Sequence, residues 1–276
     1  MEFFILAEGE MWDAIHKVLS EKASNGVEVR VIFDDFGSIK RQHKDFIVNL
    51  RAEGIDVSVF NPIKPSMNIF MNNRNHRKIV VIDGKTAFTG GFNIGDEYIN
   101  KMIRFGHWLD SGIMLRGEAV KSFLAMFCCM WEFTTGEQLD ISSHISDFSA
   151  ADDGFVLPYC DGPLNNKNPA EGIYMQILNT AQKYVYIASP YLIIDNTMTS
   201  ILCMAARSGI DVRIVTPHIP DKWYVHPVTQ YSYLELLEAG VRIFEYTPGF
   251  IHSKLFVSDD KIAVSYTHLT LPTIRL

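Results

Sequence analysis

The feature that most constrains the fold of this chain is an internal repeat, in which three short segments recur in the same order. The first copy reads NGVEVRV at 25–31, EGIDV at 53–57 and NHRKIV at 75–80. The second copy reads SGIDVRI at 208–214, AGVRI at 239–243 and IHSKLF at 251–256. Because unrelated sequences do not match three times in one order, the repeat predicts two lobes with a common fold.

Apolar periodicity and turn residues predict that each lobe is an α/β structure. In the first lobe we expect strands at about 2–7, 27–33, 55–60, 78–82, 86–89 and near Ile113, with helices at about 10–24, 38–53 and 117–133. In the second lobe we expect strands at about 184–188, 210–216 and 241–246, with helices at about 170–182, 195–208 and 223–239. Ser38 is the expected N-cap of the second helix, and Asp83-Gly84 predicts a type I′ hairpin turn. The predicted fold class is α/β, with two similar lobes, each a mixed β-sheet flanked by helices, related by a pseudo-twofold axis.

The polar stretch from Thr134 to Ala170, rich in Ser, Asp, Asn, Gly and Pro, is the expected boundary between the lobes. We therefore assign residues 1–148 to a first lobe with a complete set of motifs. Residues 149–276 form a second lobe that we expect to be incomplete.

Composition excludes several classes of protein. The net charge of −7 argues against nucleic acid as a partner, since that affinity depends on clustered Lys and Arg. The four cysteines form no C-x-x-C pair and are interpreted as reduced thiols of a chain that faces the cytoplasm. No segment reaches the roughly 18–20 apolar residues needed to cross a bilayer, so we expect no transmembrane segment.

The residues best suited to chemistry form the pattern H-x-K-x4-D, which occurs once in each copy of the repeat. Its members are His76, Lys78 and Asp83 in the first lobe, and His252, Lys254 and Asp259 in the second. In a strand, alternate side chains share a face, so each His and Lys point the same way. An apolar run follows each lysine, and a lysine at the start of a buried strand is costly without an anionic partner such as phosphate.

Simpler interpretations of these residues remain open at this point. Asp83 and Asp259 are also suited to turns, since each precedes a further turn residue. A metal site at either histidine is disfavoured, because the neighbouring lysine would repel the cation. The loop after the first motif contains Gly90 and Gly91, which let a backbone approach a ligand, and Asn93, which offers amide donors to a phosphate.

Two such half-sites around one anion would suit phosphodiester transfer without a metal or cofactor. One imidazole would attack phosphorus to give a phosphohistidine, and the other would protonate the leaving alkoxide and later deprotonate the acceptor. The lysines and Asn93 would stabilise charge on the non-bridging oxygens.

The paired motifs and the G-G-x-N that follows the first of them resemble the phospholipase D superfamily, whose fold is two similar α/β lobes that share one active site. Further segments resemble the bacterial cardiolipin synthases within it, and the likeness extends to about Val264. They are GEMWD at 9–13, RNHRK at 74–78, GFNIGDEY at 91–98, SPY at 189–191 and EYTPGFIHSK at 245–254.

The resemblance implies a phosphatidyltransferase of lipid metabolism that joins two phosphatidylglycerols into cardiolipin, releases glycerol and needs no nucleotide. It also implies His76 as nucleophile and His252 as acid and base, although the similarity of the lobes leaves that order open. We expect Glu97 to orient an imidazole, the alternative being an exposed acid in a polar loop. The partners expected are phosphatidylglycerol and a membrane surface, with the catalytic part on the cytoplasmic side of the cell membrane. Oligomeric state is left open.

The sequence departs from the family pattern at both ends. Two N-terminal transmembrane segments are usual in the family, and none precedes the first strand here. The second G-[GS]-x-N is expected at 266–269, where Tyr-Thr-His-Leu stands, and residues 265–276 are interpreted as a non-native tail. On this interpretation the chain is a fragment, and we expect it to be unstable and inactive by itself.

Two alternatives follow from the same residues. The first is a phospholipase D-type hydrolase or nuclease with water as acceptor. The second is a non-catalytic scaffold of the same fold, which the altered second motif favours and the intact first motif opposes. Trp12, Trp108 and Trp223 are interpreted as core residues, the alternative being contact with the inner leaflet.

Overall fold

A computed structural model describes residues 1–63, 73–145, 154–161 and 169–265. Its contacts divide the chain into a first unit, residues 1–102 and 113–159, and a second unit, residues 103–112 and 160–276. The second unit therefore includes a short segment, 103–112, that interrupts the first unit in sequence. The expected boundary at 148/149 and the expected G-[GS]-x-N at 266–269 lie outside the described residues.

The elements are numbered in chain order. The strands are β1 (Glu2–Phe3), β2 (Val29–Asp34), β3 (Ile55–Phe60), β4 (Ile79–Ile82), β5 (Thr86–Gly90), β6 (His107–Leu109), β7 (Gly112–Arg116), β8 (Tyr184–Ala188), β9 (Asp211–Pro217), β10 (Arg242–Tyr246), β11 (Gly249–Ile251), β12 (Leu255–Ser258) and β13 (Ile262–Ser265). The helices are α1 (Glu10–Ser24), α2 (Asp35–Ser38), α3 (Phe46–Ala52), α4 (Ala119–Thr135), α5 (Ile141–His144), α6 (Pro169–Thr180), α7 (Asn196–Arg207), α8 (His226–Tyr231) and α9 (Tyr233–Glu238). None of the described helices is long and apolar enough to cross a bilayer.

Each unit contains one mixed sheet, and the two sheets share a strand order. The first has the order β3-β2-β1-β4-β5-β7 and the second the order β10-β9-β8-β12-β13. In each, three parallel strands are followed by an antiparallel strand that carries the motif lysine at its start. The predicted α/β class with two similar lobes is confirmed.

The hairpin that follows each motif lysine also recurs. Asp83 and Gly84 have φ of 53° and 60°, and Asp259 and Asp260 have φ of 54° and 56°. The two left-handed residues are those that a type I′ turn requires, and aspartate tolerates that region better than most side chains. The type I′ turn expected at Asp83-Gly84 is thus confirmed, and the second unit forms the same turn without a glycine.

Apolar side chains of the parallel strands form the core of each unit. In the first unit Val31 and Phe33 of β2 pack with Trp12 of α1 and Leu50 of α3. In the second unit the inward residues of β8 and β9 are fully or almost fully buried, and so is one face of α7; they are Val185, Ile187, Val212, Ile214, Leu202 and Cys203. In β2 five of the six residues are buried, and this is why that strand reads as a nearly continuous apolar run.

Three expectations for individual elements were wrong. Ser38 does not cap a long helix: its hydroxyl accepts from the backbone N–H of Leu6 and donates to the carbonyl of Phe4, and it ends the short helix α2. Asp34 caps that helix instead, and α3 starts only at Phe46. The helix expected at 223–239 is two short helices, α8 and α9, and the strand expected at 2–7 is only Glu2–Phe3.

A parallel strand pair in the second unit was not expected from the sequence. His107–Leu109 of β6 pairs in register with Gly249–Ile251 of β11. A Cβ on Gly249 would lie 2.3 Å from the backbone nitrogen of His107, so the backbones meet closely only because this residue is glycine. The pair brings the end of the 103–112 segment beside the second H-x-K motif.

The two motif aspartates make different contacts, and this difference generates a stability prediction. The Asp259 carboxylate accepts from the backbone N–H groups of Gln182, Lys183 and Tyr184 at 2.7–2.9 Å. The hydrogen bonds from Tyr184 and Gln182 lower the pKa of Asp259 below its ordinary 3.8. The resulting stability is therefore fully present above pH 3.8 and is lost as the pH falls through the lower pKa of the folded state.

We expect Asp259→Ala to lower the melting temperature of the protein at pH 7, and the difference from wild type to shrink in acid. Thermal unfolding monitored by circular dichroism between pH 7 and pH 3 measures both effects. Asp83→Ala is the matched control, because it places alanine in the same left-handed position without removing three backbone hydrogen bonds. Equal losses in the two variants at neutral pH would contradict the assigned role of Asp259.

Candidate active site

In the first unit, the motif histidine and lysine form a compact pair at the start of β4. The Lys78 side chain is 2% exposed, and its Nζ donates to the carbonyl of His76 at 2.6 Å and lies 3.2 Å from His76 Nδ1. The ring of Phe4 packs against the His76 ring at 4.8 Å and lies beneath the ammonium at 5.7 Å. The arrangement holds a cation and an imidazole side by side, as binding of a phosphate oxygen beside a nucleophile requires.

Buried acids of the sheet hold the residues on either side of His76. Asn75 donates through its backbone N–H to Asp34 Oδ2 at 3.0 Å and through Nδ2 to Glu2 Oε1 at 2.7 Å. Arg77 pairs with Glu2 at 2.7 Å. Burial raises the pKa of both Glu2 and Asp34, against the opposing effect of these cationic and amide donors. These two acids were not predicted, because each appears in the sequence only as a polar residue at the end of a strand.

The loop after β5 places Gly90, Gly91 and Asn93 in buried positions. Asn93 is 3% exposed; its Oδ1 accepts from the backbone N–H of Ile5 at 3.0 Å, and its Nδ2 donates to Tyr98 Oη at 3.2 Å. Asn93 therefore connects this loop to the chain beside Phe4. Its expected role as a phosphate ligand stays a prediction.

Glu97 is 7% exposed, so the alternative of an exposed acid in a polar loop was wrong. Its carboxylate accepts from the guanidinium of Arg41 at 2.5 Å. This ion pair compensates for burial of the acid. The expected role of Glu97 in orienting an imidazole stays a prediction.

In the second unit, the motif pair is more deeply buried. His252 is 8% exposed and Lys254 is 2% exposed. Nζ of Lys254 donates to the His252 carbonyl at 2.7 Å and lies 2.8–2.9 Å from the ring nitrogens. The rings of Trp108 and Phe250 pack against the imidazole at 5.0 and 5.8 Å. Trp108 was expected in the core, and its ring instead forms one wall of this half-site.

Asp110 is a further candidate site residue, which no local pattern in the sequence predicted. Its Oδ2 lies 2.6 Å from His252 Nδ1, and the backbone N–H of His252 donates to the carbonyl of Leu109 at 2.7 Å. Burial alone would raise the pKa of Asp110, but the hydrogen bond from His252 and the charge of Lys254 lower it below its ordinary value. A charged carboxylate on Nδ1 favours the tautomer with its proton on that nitrogen, while Nε2 lies 2.8 Å from the Lys254 ammonium.

Burial lowers the pKa of Lys254 to about 7, and the charges of Asp110 and Asp221 only partly oppose this shift. Near neutral pH the ammonium is therefore close to losing its proton when the site holds no anion. Binding of a phosphate would supply the missing counter-charge and restore the protonated form. The lysine thus has a buried position that is unfavourable for folding and favourable for binding an anion.

The structure does not bring the motif aspartates to their own histidines. Asp83 and Asp259 lie in the hairpin turns at the far ends of β4 and β12, five residues and so roughly 16 Å of strand rise from the lysines. Their turn role is the one that the contacts support. Within the part of the chain that the structure describes, no three His, Cys, Asp or Glu residues converge as metal ligands would.

The lowered pKa of Lys254 generates a prediction with a definite sign. The pKa of Lys254, about 7, is below the ordinary 10.5. Burial of this lysine therefore lowers the free energy of unfolding most below pH 7, and this destabilisation decreases as the pH rises toward 10.5. We expect the difference in free energy of unfolding between Lys254→Met and the wild type to favour the variant more at pH 6–7 than at pH 9, because the variant lacks the ammonium whose burial is most costly when it is charged.

The same variant should lose the response to anions. Added inorganic phosphate is expected to raise the melting temperature of the wild type but not that of Lys254→Met. Lys261→Met removes an exposed lysine of the same unit and should change neither quantity. A destabilised Lys254→Met protein that still responds to phosphate would show that the buried ammonium is not an anion site.

Comparisons with known proteins agree with this geometry. The family described as "Cardiolipin synthase, PLD-like domain" matches residues 3–119 and 174–267. The chain is 41% identical over 266 residues to a cardiolipin synthase of Halalkalibacterium halodurans, covering 95% of this chain and 53% of that protein. It is 39% identical to a cardiolipin synthase of Geobacillus kaustophilus, again covering 95% and 53%. The chain thus spans about half the length of the curated relatives it matches.

Among solved structures, the fold resembles phosphatidylserine synthase from Haemophilus influenzae, with a TM-score of 0.59, 15% identity, and 94% of this chain and 70% of that chain covered. It also resembles polyphosphate kinase from Porphyromonas gingivalis, with a TM-score of 0.51, 12% identity, and 94% and 38% covered. At these identities the structures support the fold alone. The family match and the relatives decide the assignment: the chain belongs to the cardiolipin synthase family of phospholipase D-like domains.

Proposed function

We propose that this chain carries the catalytic residues of a phosphatidyltransferase that joins two phosphatidylglycerols into cardiolipin and releases glycerol. The observation that carries the proposal is the buried group of Asp110, His252 and Lys254, in which an oriented imidazole adjoins a cation of lowered pKa. The duplicated pair of His76 and Lys78 supplies the second imidazole that the reaction needs. Both relatives described above are named cardiolipin synthase, and this name agrees with the proposed chemistry.

In the proposed reaction, an imidazole nitrogen attacks the phosphorus of one phosphatidylglycerol. The bond from phosphorus to the glycerol headgroup breaks, and the other imidazole gives its proton to the departing alkoxide, so that free glycerol leaves and a phosphohistidine remains. A terminal hydroxyl of the second phosphatidylglycerol then attacks phosphorus, the bond from phosphorus to the histidine nitrogen breaks, and the hydroxyl proton passes to the second imidazole. One diester bond replaces another, so the sequence of steps consumes no nucleotide.

The contacts favour a division of labour between the two histidines. A carboxylate on Nδ1 stabilises an imidazolium, so the pairing with Asp110 suits His252 to the role of acid and base. His76 then serves as the nucleophile beside Lys78. Lys78 and Lys254 bind the non-bridging phosphate oxygens, whose charge grows in the transition state.

The test of this function follows the lipid products. Because residues 265–276 are interpreted as a non-native tail, the test uses the protein with its native C-terminal sequence restored. We expect this protein, incubated with vesicles of radiolabelled phosphatidylglycerol in the presence of EDTA, to form cardiolipin and glycerol. His76→Ala and His252→Ala should each lower the rate by at least about 10³-fold, because each removes a proton carrier or nucleophile. His16→Ala is the control, since His16 lies on α1 and pairs with Glu53.

Each other product pattern has a distinct meaning. Phosphatidic acid alone would identify a hydrolase of the same fold. No turnover by a folded protein would support the non-catalytic scaffold.

The role of Asp110 predicts a change in the pH profile rather than a simple loss of rate. Removing the carboxylate charge beside His252 weakens the hold of the imidazole on its proton. For Asp110→Asn we therefore expect kcat to fall by about 10²-fold or more and the alkaline limb of the kcat/KM profile to move to lower pH.

Asp110→Glu should recover part of the rate and of the profile, whereas Asp83→Asn should change neither. The steady-state rate between pH 5 and pH 9 measures the shift. An unmoved profile with a lower rate would reduce Asp110 to a purely structural residue.

A further inference from the structure

A group of large apolar side chains on α8, α9 and the loop before them is exposed. We call it the aromatic patch; its members are Trp223, Tyr224, Val228, Tyr231 and Leu234, which are 82%, 59%, 47%, 87% and 68% exposed. Trp12, by contrast, is 3% exposed, as expected for a core residue. The expectation that Trp223 is also a core residue was wrong. Exposed apolar side chains gathered in one place point to a binding surface more than isolated ones do.

The patch is one face of a helical pair that is fixed to the second unit by its other face. Tyr224 lies in the loop before α8, Val228 and Tyr231 lie on α8, and Leu234 lies on α9. In the same two helices Thr229 is 2% exposed and Leu236 is fully buried, and these residues attach the helices to the unit. The exposed side chains therefore do not serve the core, and their apolar character needs another explanation.

The charge of this segment differs from that of the whole chain. From Lys222 to Leu234 the sequence contains no Asp or Glu, although the chain has a net charge of −7. The basic groups within it are Lys222 and His226. Asp221 and Glu235 stand at the two ends of this segment, and the residues between them place exposed Trp and Tyr beside basic groups, as do chains that lie at the headgroup level of an anionic bilayer.

The patch also begins next to the second half-site. Asp221 accepts from Tyr191 Oη at 2.6 Å, and its charge acts on buried Lys254. The Lys222 ammonium lies over the Tyr191 ring at 5.1 Å. Trp223 follows directly, so a single residue separates Asp221, whose charge acts on Lys254, from a side chain that is 82% exposed to solvent. A surface bound by the patch would therefore lie close to the place where a phosphate is held.

We propose that the aromatic patch docks the second unit on the surface of an anionic phospholipid bilayer, with the Trp223 and Tyr231 rings among the headgroups. This inference rests on the proposed function, in which the substrate is itself a phospholipid of such a bilayer. Docking there brings a headgroup to the Lys254 half-site without removing the acyl chains from the membrane. A second copy of the chain is the competing occupant, and the test separates the two.

The experiment compares the wild type with Trp223→Ser/Tyr231→Ser. Phe133→Ser is the matched control, because Phe133 is a similarly exposed aromatic, at 75%, on α4 of the first unit. Each protein is sedimented with vesicles of phosphatidylglycerol and with vesicles of phosphatidylcholine. We expect the double variant to bind phosphatidylglycerol vesicles about tenfold more weakly or worse, and the control to bind as the wild type does. Tryptophan fluorescence of the wild type should shift to shorter wavelength on binding, and this shift should be absent from the double variant.

Each remaining outcome is decisive. Equal vesicle binding by the double variant and the wild type, or no binding by the wild type, would overturn the proposal. A change in sedimentation-velocity mass without a change in vesicle binding would assign the patch to self-association and also overturn it.

Activity is measured separately, with the native C-terminal sequence restored to each protein, on vesicles and on a short-chain phosphatidylglycerol below its micelle concentration. We expect the double variant to lose turnover on vesicles only. Wild-type protein that binds vesicles through the patch yet turns over neither substrate would refute the proposed function and leave the docking surface standing.

Discussion

Both units are built around a lysine that is buried at the start of an antiparallel strand. Lys78 and Lys254 are each 2% exposed, and an ammonium in such a place is costly unless hydrogen bonds and counter-charges surround it. In each unit the nearest acceptor is the backbone carbonyl of the motif histidine, at 2.6 and 2.7 Å. The lysine therefore determines where the histidine backbone lies. The motif histidine and lysine are separated by one residue. This spacing allows the hydrogen bond from the lysine Nζ to the histidine carbonyl, and it also places both side chains on one face of a strand.

The two half-sites share this bond and differ in how the imidazole is supported. In the first unit, buried acids of β1 and β2 hold the residues flanking His76. In the second unit, a carboxylate contacts the His252 ring itself. A duplicated site whose copies diverged in this way can assign different proton chemistry to its two histidines. These contacts surround the motif and are not visible in its letters, which are the same in both copies.

Local patterns in the sequence were sufficient for much of the fold. The bounds expected for α1, β3 and β8 match those of the structure, and the Asp83-Gly84 turn has the backbone conformation that its residues favour. Ser38 shows where such reasoning fails, because its hydroxyl is used by residues 32 and 34 positions earlier. A tertiary partner overrode a local capping preference.

The site was predictable only in part, for the same reason. The H-x-K pairs could be located because the repeat marks them twice. Asp110 could not, because a strand of three residues gives no periodic signal and its partner His252 is 142 positions away. Only pairing of β6 with β11 makes that acid part of the site. Glu97 was identified as a candidate from its place after the motif, but its ion pair with Arg41 was not foreseen.

The excursion of residues 103–112 into the second unit affects how the chain can fold during synthesis. This segment leaves the ribosome between β5 and β7 of the first unit, well before β11 exists. The edge of this segment must remain unpaired while some 140 further residues are made. Because the second unit is built from two separate stretches of the chain, it cannot fold until both have been made. A newly made chain would therefore present an open strand edge for an interval set by the rate of translation, and a chaperone that shields such edges would act in that interval.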